Sequence, residues 1–310
     1  MFNVIRIYIA PINKKNGQGE ILTLEVTILT EIMIENMSTG YYGKTILHDI
    51  NLSITQSGIY VVLGKNGVGK TTFFRTITGI LKLYTGTLTI DGLDPYSNRE
   101  TREKCVYLSH QTAAPVTMKV SAIIDMFAEL MDANRIEKEN TIRQLNLNEL
   151  MGKSYVSLSQ GQKKRVSIAK CLMKEREIYL FDEPTSNLDP TIAGDVRKTI
   201  LNIAKNKIIF YSSQNLYEAR EIGKNVIVID NGKILYSGDM DSIQKGKYII
   251  GIRSPDVPKV FPEAKLEGKY YLLELNSPDD VSDVIQKLAA ANVKVREIRE
   301  MSNPLEDILK

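Results

Sequence analysis

Short apolar runs separated by polar turns occur along most of the chain, and they predict alternating strands and helices. Between residues 32 and 63, apolar and polar positions partly alternate, which is typical of strands buried on one face. Two such runs, 33–35 and 46–54, flank a turn at 40–43, and the run at 87–92 adds a third strand. The pattern therefore predicts a small antiparallel sheet.

Other runs are apolar throughout, which is typical of parallel strands that are buried on both faces. These runs lie at 59–63, 105–108, 178–181 and 208–211, the last two inside the predicted strands 177–181 and 207–212. A closing hairpin is predicted after them, because Asn231-Gly232 separates two further apolar runs and Asn-Gly is a strong signal for a two-residue turn. The chain thus combines a parallel sheet with antiparallel elements, which places it in the α/β class.

A helical region interrupts the strands. Val120, Ile123, Ile124 and Phe127 are spaced as i, i+3, i+4 and i+7, which places them on one face of a helix. The following stretch, 136–150, continues the helical pattern, with charged residues at the positions between its leucines. We therefore expect a helical subdomain at about 117–157, inside a larger domain that spans 31–245.

The two ends of the chain have different patterns. Residues 246–310 predict a small α+β appendage: strands at 248–252 and 270–275, a helix with Val281, Val284, Ile285 and Leu288 on one face, an apolar run at 293–295 and a short final helix near 304–309. Residues 1–30 fit three interpretations. They form a pair of strands, or a loose peripheral extension, which we favour, or they precede a biological start at Met33.

Composition narrows the class of protein. The chain has 310 residues, of which 43% are hydrophobic, so it can bury a sizeable core. A net charge of +3 with interspersed signs argues against a nucleic-acid partner. Cys105 and Cys171 both lie in apolar runs, which predicts two buried thiols and a reducing compartment. We find no convincing secretory signal and no apolar run of the roughly 18 residues that a membrane span needs. A cytosolic protein is expected, whose membrane spans, if required, come from another subunit.

One glycine-rich stretch carries the strongest chemical signal. It lies between the apolar run at 59–63 and a helix-compatible run, and its spacing is that of a phosphate-binding loop. Glycines let backbone N–H groups surround phosphate oxygens, and the dipole of the following helix favours negative charge. Lys70 can reach the β- and γ-phosphates, and the Thr71 hydroxyl can bind Mg²⁺. The predicted nucleotide-binding residues of this stretch are Gly64, Lys65, Asn66, Gly67, Val68, Gly69, Lys70, Thr71 and Thr72.

Two further segments carry candidate chemistry. Asp182 and Glu183 end the apolar run at 177–181, where ligands of open α/β sheets bind. Asp182 is a candidate Mg²⁺ ligand and Glu183 is placed to polarise an attacking water. Upstream, Ser159 and Gly161 open a predicted helix and form a second candidate anion-binding element. Tyr42 is a candidate for stacking on a nucleobase, with Tyr41 as its rival.

The phosphate loop, Leu158-Ser159-Gln160-Gly161-Gln162 and the strand ending in Asp182-Glu183-Pro184 stand in this order along one chain. Together they resemble the ATP-binding subunits of ABC transporters. The resemblance covers about 32–242 and implies a P-loop NTPase core with a parallel sheet, an antiparallel β subdomain and a helical subdomain.

The resemblance also implies two cofactors, ATP and Mg²⁺, and two partners. Each ATP would be clamped between the phosphate loop of one subunit and Ser159, Gly161 and Gln162 of a second, identical or different, ATPase subunit. A membrane-spanning permease subunit would hold the pair at the cytoplasmic face of the cell membrane. By the same matching, Tyr42 would stack on the base and Glu183 would be the catalytic glutamate. Gln111 would sense Mg²⁺ and the permease, and His110 is the alternative residue for that role. Asp189 would couple the two sites.

The chain departs from the pattern of the family at two positions, and its C-terminal end carries one further resemblance. The family usually has glycine at the position of Gln160, which we discount, and histidine where Gln214 follows the strand at 207–212. A glutamine amide donates a hydrogen bond but cannot become cationic near neutral pH, so we predict slow or partner-dependent hydrolysis with Gln214 beside the γ-phosphate. The C-terminal Leu305-Glu306-Asp307 run resembles the tail of exporter ATPases. The alternative is a soluble ABC-type scaffold or switch, which would co-purify with ribosomes or DNA instead of a permease.

Overall fold

The computed structural model describes residues 7–16, 19–28, 30–110, 115, 117–243, 248–276 and 280–302. Its central element is a six-stranded sheet. Five strands are parallel: β5 (Gly58–Leu63), β7 (Cys105–Leu108), β8 (Ile178–Phe181), β9 (Ile208–Ser213) and β10 (Asn225–Asp230). Strand β11 (Lys233–Asp239) pairs antiparallel with β10, and the order across the sheet is β11-β10-β5-β9-β8-β7.

The all-apolar runs form these strands because both faces of the sheet are covered. Val61 and Leu63 of β5 belong to one apolar cluster, and Val62 between them belongs to another. The first cluster includes buried side chains from four helices: α3 (Val120–Leu130), α5 (Gln160–Leu172), α6 (Pro190–Ile203) and α7 (Leu216–Ile222). All four residues of β8 are buried, as the uniform apolar run predicts.

The second face of the sheet packs on α1 (Lys70–Ile77) and on a three-stranded antiparallel sheet. That sheet has the order β4-β3-β6, with β3 at Ile32–Tyr41, β4 at Lys44–Ile54 and β6 at Leu83–Ile90. The predicted turn at 40–43 is shorter in the structure, because β3 extends to Tyr41. Tyr42 and Gly43 make the turn with φ of 50° and 78°, which suits the twist of a hairpin. The two turn residues of the hairpin at Asn231-Gly232 also have positive φ, of 46° and 73°.

Helices α3 and α4 (Arg135–Gln144) form the helical region, together with short 3₁₀ turns at Asn148–Leu150 and Tyr155–Ser157. The predicted apolar face of α3 is buried at all four positions. The expectation of helix throughout 136–150 is wrong, because α4 ends at Gln144. Asn146 adopts a φ of 49°, a left-handed conformation that terminates a helix. The remaining short helices are α2 (Arg99–Glu103) and α8 (Met240–Ile243).

The described residues between 248 and 302 form another, four-stranded sheet with the order β13-β14-β12-β15. Its strands are β12 (Tyr248–Arg253), β13 (Lys265–Glu267), β14 (Tyr270–Leu275) and β15 (Glu297–Ser302), and α9 (Val281–Ala290) packs on it. A separate apolar cluster joins them, including Ile250, Leu273 and Leu288. The apolar run at 293–295 is not a strand; the last strand lies at β15, where the chain pairs with β12. The predicted final helix near 304–309 lies outside the described residues.

The N-terminal residues form two antiparallel strands, β1 (Ile7–Asn16) and β2 (Gly19–Ile28). A strand pair was one of the three interpretations of this segment, and it replaces the loose extension that we favoured. The pair is a sheet of its own and joins none of the three larger sheets. Within the described ranges, every helix is too short or too polar to cross a bilayer.

Candidate functional site

The phosphate-binding loop connects β5 to α1, as its motif requires. Its glycines are needed for close packing as well as for the phosphate access that the motif predicts. A Cβ on Gly64 would lie 2.4 Å from the carbonyl oxygen of Ile229, and Gly69 has a φ of 115°, which a side chain rarely adopts. Lys65, Asn66 and Gly67 at the tip are exposed, and Val68 is half-buried. The loop therefore has a fixed base and an open tip.

Lys70 is buried beneath this loop, with 5% of its side chain exposed. Its ammonium donates to the carbonyl oxygens of Gly64, at 2.7 Å, and Lys65, at 3.0 Å. A third contact is ionic, because Nζ lies 3.3 Å from Oε1 of Glu183. The cation that the sequence predicts to reach phosphate thus lies beside the acid that it predicts to activate water.

Thr71 and Asp182 meet although 111 residues separate them in the sequence. Thr71 Oγ1 donates to Oδ2 of Asp182 at 2.7 Å, and Asp182 is almost completely buried. Two further hydroxyls donate to this carboxylate: Tyr107 at 3.1 Å and Ser212 at 2.8 Å. Burial and the nearby Asp182 charge raise the pKa of Tyr107, so its phenol remains a donor at neutral pH. The aspartate is held at a defined position at the carboxyl end of β8.

Glu183 follows in a strained conformation. Its φ is 46°, which is uncommon for a residue with a side chain and occurs often at functional sites. Its backbone N–H donates to Ser212 Oγ at 2.8 Å, and its carbonyl oxygen accepts from Ser186 Oγ at 2.9 Å. His110 Nδ1 lies 3.7 Å from Glu183 Oε2 and 3.3 Å from Ser186 Oγ. The sequence predicted neither Ser212 nor Tyr107 as part of this site.

The other predicted site residues lie at different places. Gln214 is exposed in the turn after β9 and lines one cavity with Glu183 and Ser186. Tyr42 is fully exposed, whereas its rival Tyr41 is half-buried and accepts a hydrogen bond from Arg75 at 3.2 Å. Asp189 is exposed at the start of α6, where its side chain makes no capping hydrogen bond. Thr72 is buried in α1, and Gln111 lies outside the described residues.

Ser159, Gly161 and Gln162 begin α5, as predicted, but two of them bind each other. Gln162 N–H donates to Ser159 Oγ at 3.3 Å, and Ser159 N–H donates to Gln162 Oε1 at 3.1 Å. This capping box satisfies backbone groups that the start of a helix leaves unpaired. Gly161 is buried, and a Cβ there would lie 2.6 Å from Ile192 Cγ2 of α6. A second cavity, separate from that of Gln214, is lined by these three residues.

Comparison with known proteins agrees with this geometry. The family model described as "ABC transporter" matches residues 47–186, which include the phosphate loop, α5 and the acids after β8. The phosphonates import ATP-binding protein PhnC of Lactococcus lactis subsp. lactis is 30% identical over 237 residues, which cover 69% of this chain and 95% of PhnC.

The chain belongs to the ABC transporter ATP-binding family. It is an ATP-binding subunit and an ATPase of the ABC type. The lipopolysaccharide export system ATP-binding protein LptB of Haemophilus influenzae is 26% identical to this ABC subunit, over 69% of the chain and 93% of LptB. The solved structure of cbiO1 from Clostridium perfringens, described as part of the ABC transporter complex cbiONQ, superposes with a TM-score of 0.61. It shares 26% identity and covers 68% of this chain and 89% of cbiO1.

Two cofactors were predicted for this ABC subunit, and ATP follows from its family. Whether Mg²⁺ fits this site is judged from the oxygen atoms of Thr71 and Asp182. Among the described residues, no group of three or more His, Cys, Asp and Glu side chains can hold a metal alone. Mg²⁺, however, is usually bound through one or two protein oxygens together with water and substrate phosphates. A threonine hydroxyl and a carboxylate 2.7 Å apart beside a phosphate loop fit that pattern.

Proposed function

We propose that the chain binds ATP together with Mg²⁺ between two ATPase subunits, and that hydrolysis drives a permease subunit in the direction of export. The observation that carries the catalytic part is the contact between Lys70 and Glu183, at 3.3 Å. A γ-phosphate bound by Lys70 would lie next to Glu183, so the acid could orient a water for in-line attack. The loop residues 64–72 would hold the other phosphates, and Tyr42 would stack on the base.

Thr71, Asp182 and Gln111 would hold the metal ion. Mg²⁺ held there would supply positive charge to neutralise the phosphates. The chain contributes the fixed position of the ligands: three hydroxyls hold the Asp182 carboxylate, from Thr71, Tyr107 and Ser212. Ser212 also accepts the N–H of Glu183, so one side chain orients both the metal ligand and the base. Gln214, which lines the same cavity as Glu183, would contact the γ-phosphate.

A second subunit would complete the site. Ser159 is exposed at the start of a 13-residue helix, whose dipole favours an anionic ligand. In this arrangement Ser159, Gly161 and Gln162 face the ATP of the partner, and the exposed Asp189 couples the two sites. The fixed capping box gives the helix start a preformed shape for that contact.

The permease would place the chain at the cytoplasmic face of the membrane. The description of cbiO1 as part of a transporter complex supports such a partner. Export is supported by the Leu305-Glu306-Asp307 run and by the name of LptB, whereas the name of PhnC points to import. No described feature favours a nucleic-acid partner.

Glu183→Gln tests the catalytic part. The amide can still occupy the site but cannot act as a base, so we expect ATP binding to persist while hydrolysis falls by about 100-fold or more. With ATP and Mg²⁺, size-exclusion chromatography should show a species of twice the mass of one chain. Glu263→Gln, at an exposed position far along the sequence, is the matched control. Normal turnover by Glu183→Gln would refute the assignment of the base.

The direction is tested in everted membrane vesicles that carry the chain and the permease that co-purifies with it. ATP added outside such vesicles reaches the face that is cytoplasmic in the cell. An exporter should then accumulate a fluorescent amphiphile inside the vesicles, and Glu183→Gln vesicles should not. ATP-driven loss of the dye from preloaded vesicles would contradict export.

A further inference from the structure

A buried carboxylate that the catalytic site does not use lies under the cavity next to Gln214. Glu218 is on helix α7, and only 12% of its side chain is exposed. The cavity has a volume of about 430 Å³ and is lined by Glu183, Ser186, Gln214 and Glu218, among others. A carboxylate buried to this extent is costly unless it accepts hydrogen bonds or pairs with a cation. Its partners therefore show what it holds in place.

Three hydroxyl groups converge on Glu218. Ser213 Oγ donates to Oε2 at 2.6 Å, and the Tyr211 hydroxyl donates to Oε1 at 2.6 Å. The hydroxyl of Thr185 makes a short contact with Oε1 as well. Burial and the Glu218 charge raise the pKa of Tyr211, which keeps the phenol protonated as a donor. Arg197 adds a positive charge at 3.5 Å.

These partners connect the two segments to which the proposed function assigns catalysis. Thr185 stands two residues after Glu183, in the turn where the Ser186 hydroxyl binds the Glu183 carbonyl. Ser213 stands directly before Gln214, and its Oγ also accepts the N–H of Asn215 at 3.0 Å. Ser213 thus closes the turn on both sides of Gln214. Because the Gln214 side chain is itself exposed, its position depends on this turn.

We propose that Glu218 is a positioning residue, which sets the distance between the turn that carries Gln214 and the segment that carries Glu183. One carboxylate binds both segments, so a shift of either one breaks a charge-assisted hydrogen bond. Small displacements of reacting groups have large effects on rate. Glu218 therefore determines whether Gln214 and Glu183 meet the same γ-phosphate. This inference rests on the proposed roles of these two residues.

The test compares two substitutions on the same helix in the full chain. Glu218→Gln keeps the size of the side chain but replaces an acceptor by an amide donor, which cannot satisfy all three hydroxyls. Glu221→Gln is the matched control, because Glu221 binds the same Arg197, at 2.9 Å, whereas the three hydroxyls bind Glu218. Single-turnover hydrolysis of Mg-ATP, binding of ATP and the melting temperature are measured for both.

We expect Glu218→Gln to lower the hydrolysis rate by about tenfold while the Kd for ATP changes by less than about twofold. Glu221→Gln should leave both values within about twofold of wild type. Ser213→Ala, which removes one donor and keeps the carboxylate, should lower the rate in the same direction. It serves as the measurement if Glu218→Gln does not fold.

If Glu218 acts by positioning Gln214, its effect on the rate depends on Gln214, whereas a purely structural effect does not. In a Gln214→Ala background, Glu218→Gln should lower the rate by less than about twofold, because the group that it positions is gone. Equal losses in both backgrounds would overturn the proposal, as would an unchanged rate in both Glu218→Gln and Ser213→Ala. Glu183→Gln is measured alongside: its normal turnover would instead refute the proposed function.

Discussion

The ammonium group of Lys70 lies 3.3 Å from the carboxylate of Glu183, so the proposed phosphate-binding cation and the proposed base meet at one point. These residues come from different elements, α1 and the end of β8. The contact follows from the sheet order, in which β9 alone separates β5 from β8. Parallel strands present their carboxyl ends at the same edge, where ligands bind.

Lys70→Met is expected to abolish the increase in melting temperature that ATP produces and to weaken ATP binding by at least about tenfold. The reason is the loss of a charged hydrogen bond to phosphate, which contributes about 1.5–3 kcal/mol. Binding is measured by isothermal titration calorimetry with Mg-ATP. Lys153→Met, which removes an exposed lysine, is the control. Equal affinities for the two variants would show that Lys70 does not bind phosphate.

Tyr42→Ala is expected to weaken ATP binding by about tenfold, because stacking of a base on an aromatic ring contributes about 1–3 kcal/mol. Its φ of 50° is unfavourable for a side chain, so Tyr42→Gly should lose the same affinity while the melting temperature stays equal or rises.

Tyr41→Phe separates the two tyrosines. Its hydroxyl accepts a hydrogen bond from Arg75, so the substitution should affect stability more than affinity. Nucleotide affinity by fluorescence titration and melting temperature are compared for the set. If Tyr41→Ala, which removes the ring, lowers affinity and Tyr42→Ala does not, the stacking residue is Tyr41.

Gln214→His is expected to raise the hydrolysis rate by about tenfold without changing the Kd for ATP. Histidine can carry positive charge near neutral pH and glutamine cannot, so only the former adds charge stabilisation at the γ-phosphate. The position is exposed, which lets the new side chain enter without disturbing the core. Steady-state phosphate release over pH 6–8 measures the effect. Indistinguishable turnover of the two enzymes would remove Gln214 from the catalytic site.

Gly161→Ala is expected to destabilise the chain, because the added methyl would approach Ile192 Cγ2 to 2.6 Å. Overpacking of this kind costs about 1–3 kcal/mol, and an Ile192→Ala background should remove most of that cost. Chemical denaturation of the wild type, the two single variants and the double variant gives the coupling energy between Gly161 and Ile192. The rate of ATP hydrolysis by the stable double variant then tests the proposed role of Gly161 at the partner's ATP separately from its packing role. Additive effects on stability would show that the contact with Ile192 is unimportant.

Cys171 gives a pH dependence whose sign follows from its burial. Burial raises the pKa of its thiol from 9.0 to about 12. Below pH 9 the thiol is protonated in both the folded and the unfolded chain, and its contribution to stability is fully present. Above pH 9 only the unfolded chain loses the proton, so stability falls by about 1.4 kcal/mol per pH unit until the folded pKa is reached.

Between pH 8 and 11, the free energy of unfolding of the wild type should therefore fall more steeply than that of Cys171→Ala, when both are followed by urea denaturation. The absolute stabilities differ because alanine leaves a cavity, so only the slopes are compared. Parallel slopes would show that the thiol titrates alike in both states. Cys105, expected to be buried, is half-buried and its pKa is also raised to about 12, mainly by burial.

The local part of the fold was predictable because its signals are local. The uniform apolar run of β8, the i, i+3, i+4, i+7 face of α3 and the Asn231-Gly232 turn each correspond to the element that their pattern predicts. The errors lie where strand pairing or a local backbone conformation overrides the pattern. Strand β15 contains three charged residues among six and exists because it pairs with β12. Helix α4 ends early because Asn146 adopts a left-handed conformation.

The candidate site was predictable to the extent that it is made of motifs. The phosphate loop, Asp182 and Glu183 stand in contiguous segments whose spacing carries the chemistry. Tyr107, Ser212 and Glu218 stand outside those segments. The one signal that could have found Ser212 is its place as a polar residue at the end of an apolar strand, next to the strand of Asp182. Which strands lie next to each other depends on contacts between residues far apart in the chain, and these cannot be read from a single sequence.

The sequence by itself determined that this chain carries the motif of a phosphate loop, a second helix start that is a candidate for anion binding and an acid pair after a buried strand, because each depends on neighbouring residues. Only the tertiary structure decided that Thr71 donates to Asp182, that Lys70 lies against Glu183 and that Glu218 binds the segments of both Glu183 and Gln214. The physical reason is that parallel strands distant in sequence end at one edge of the sheet, where burial forces their polar groups to pair.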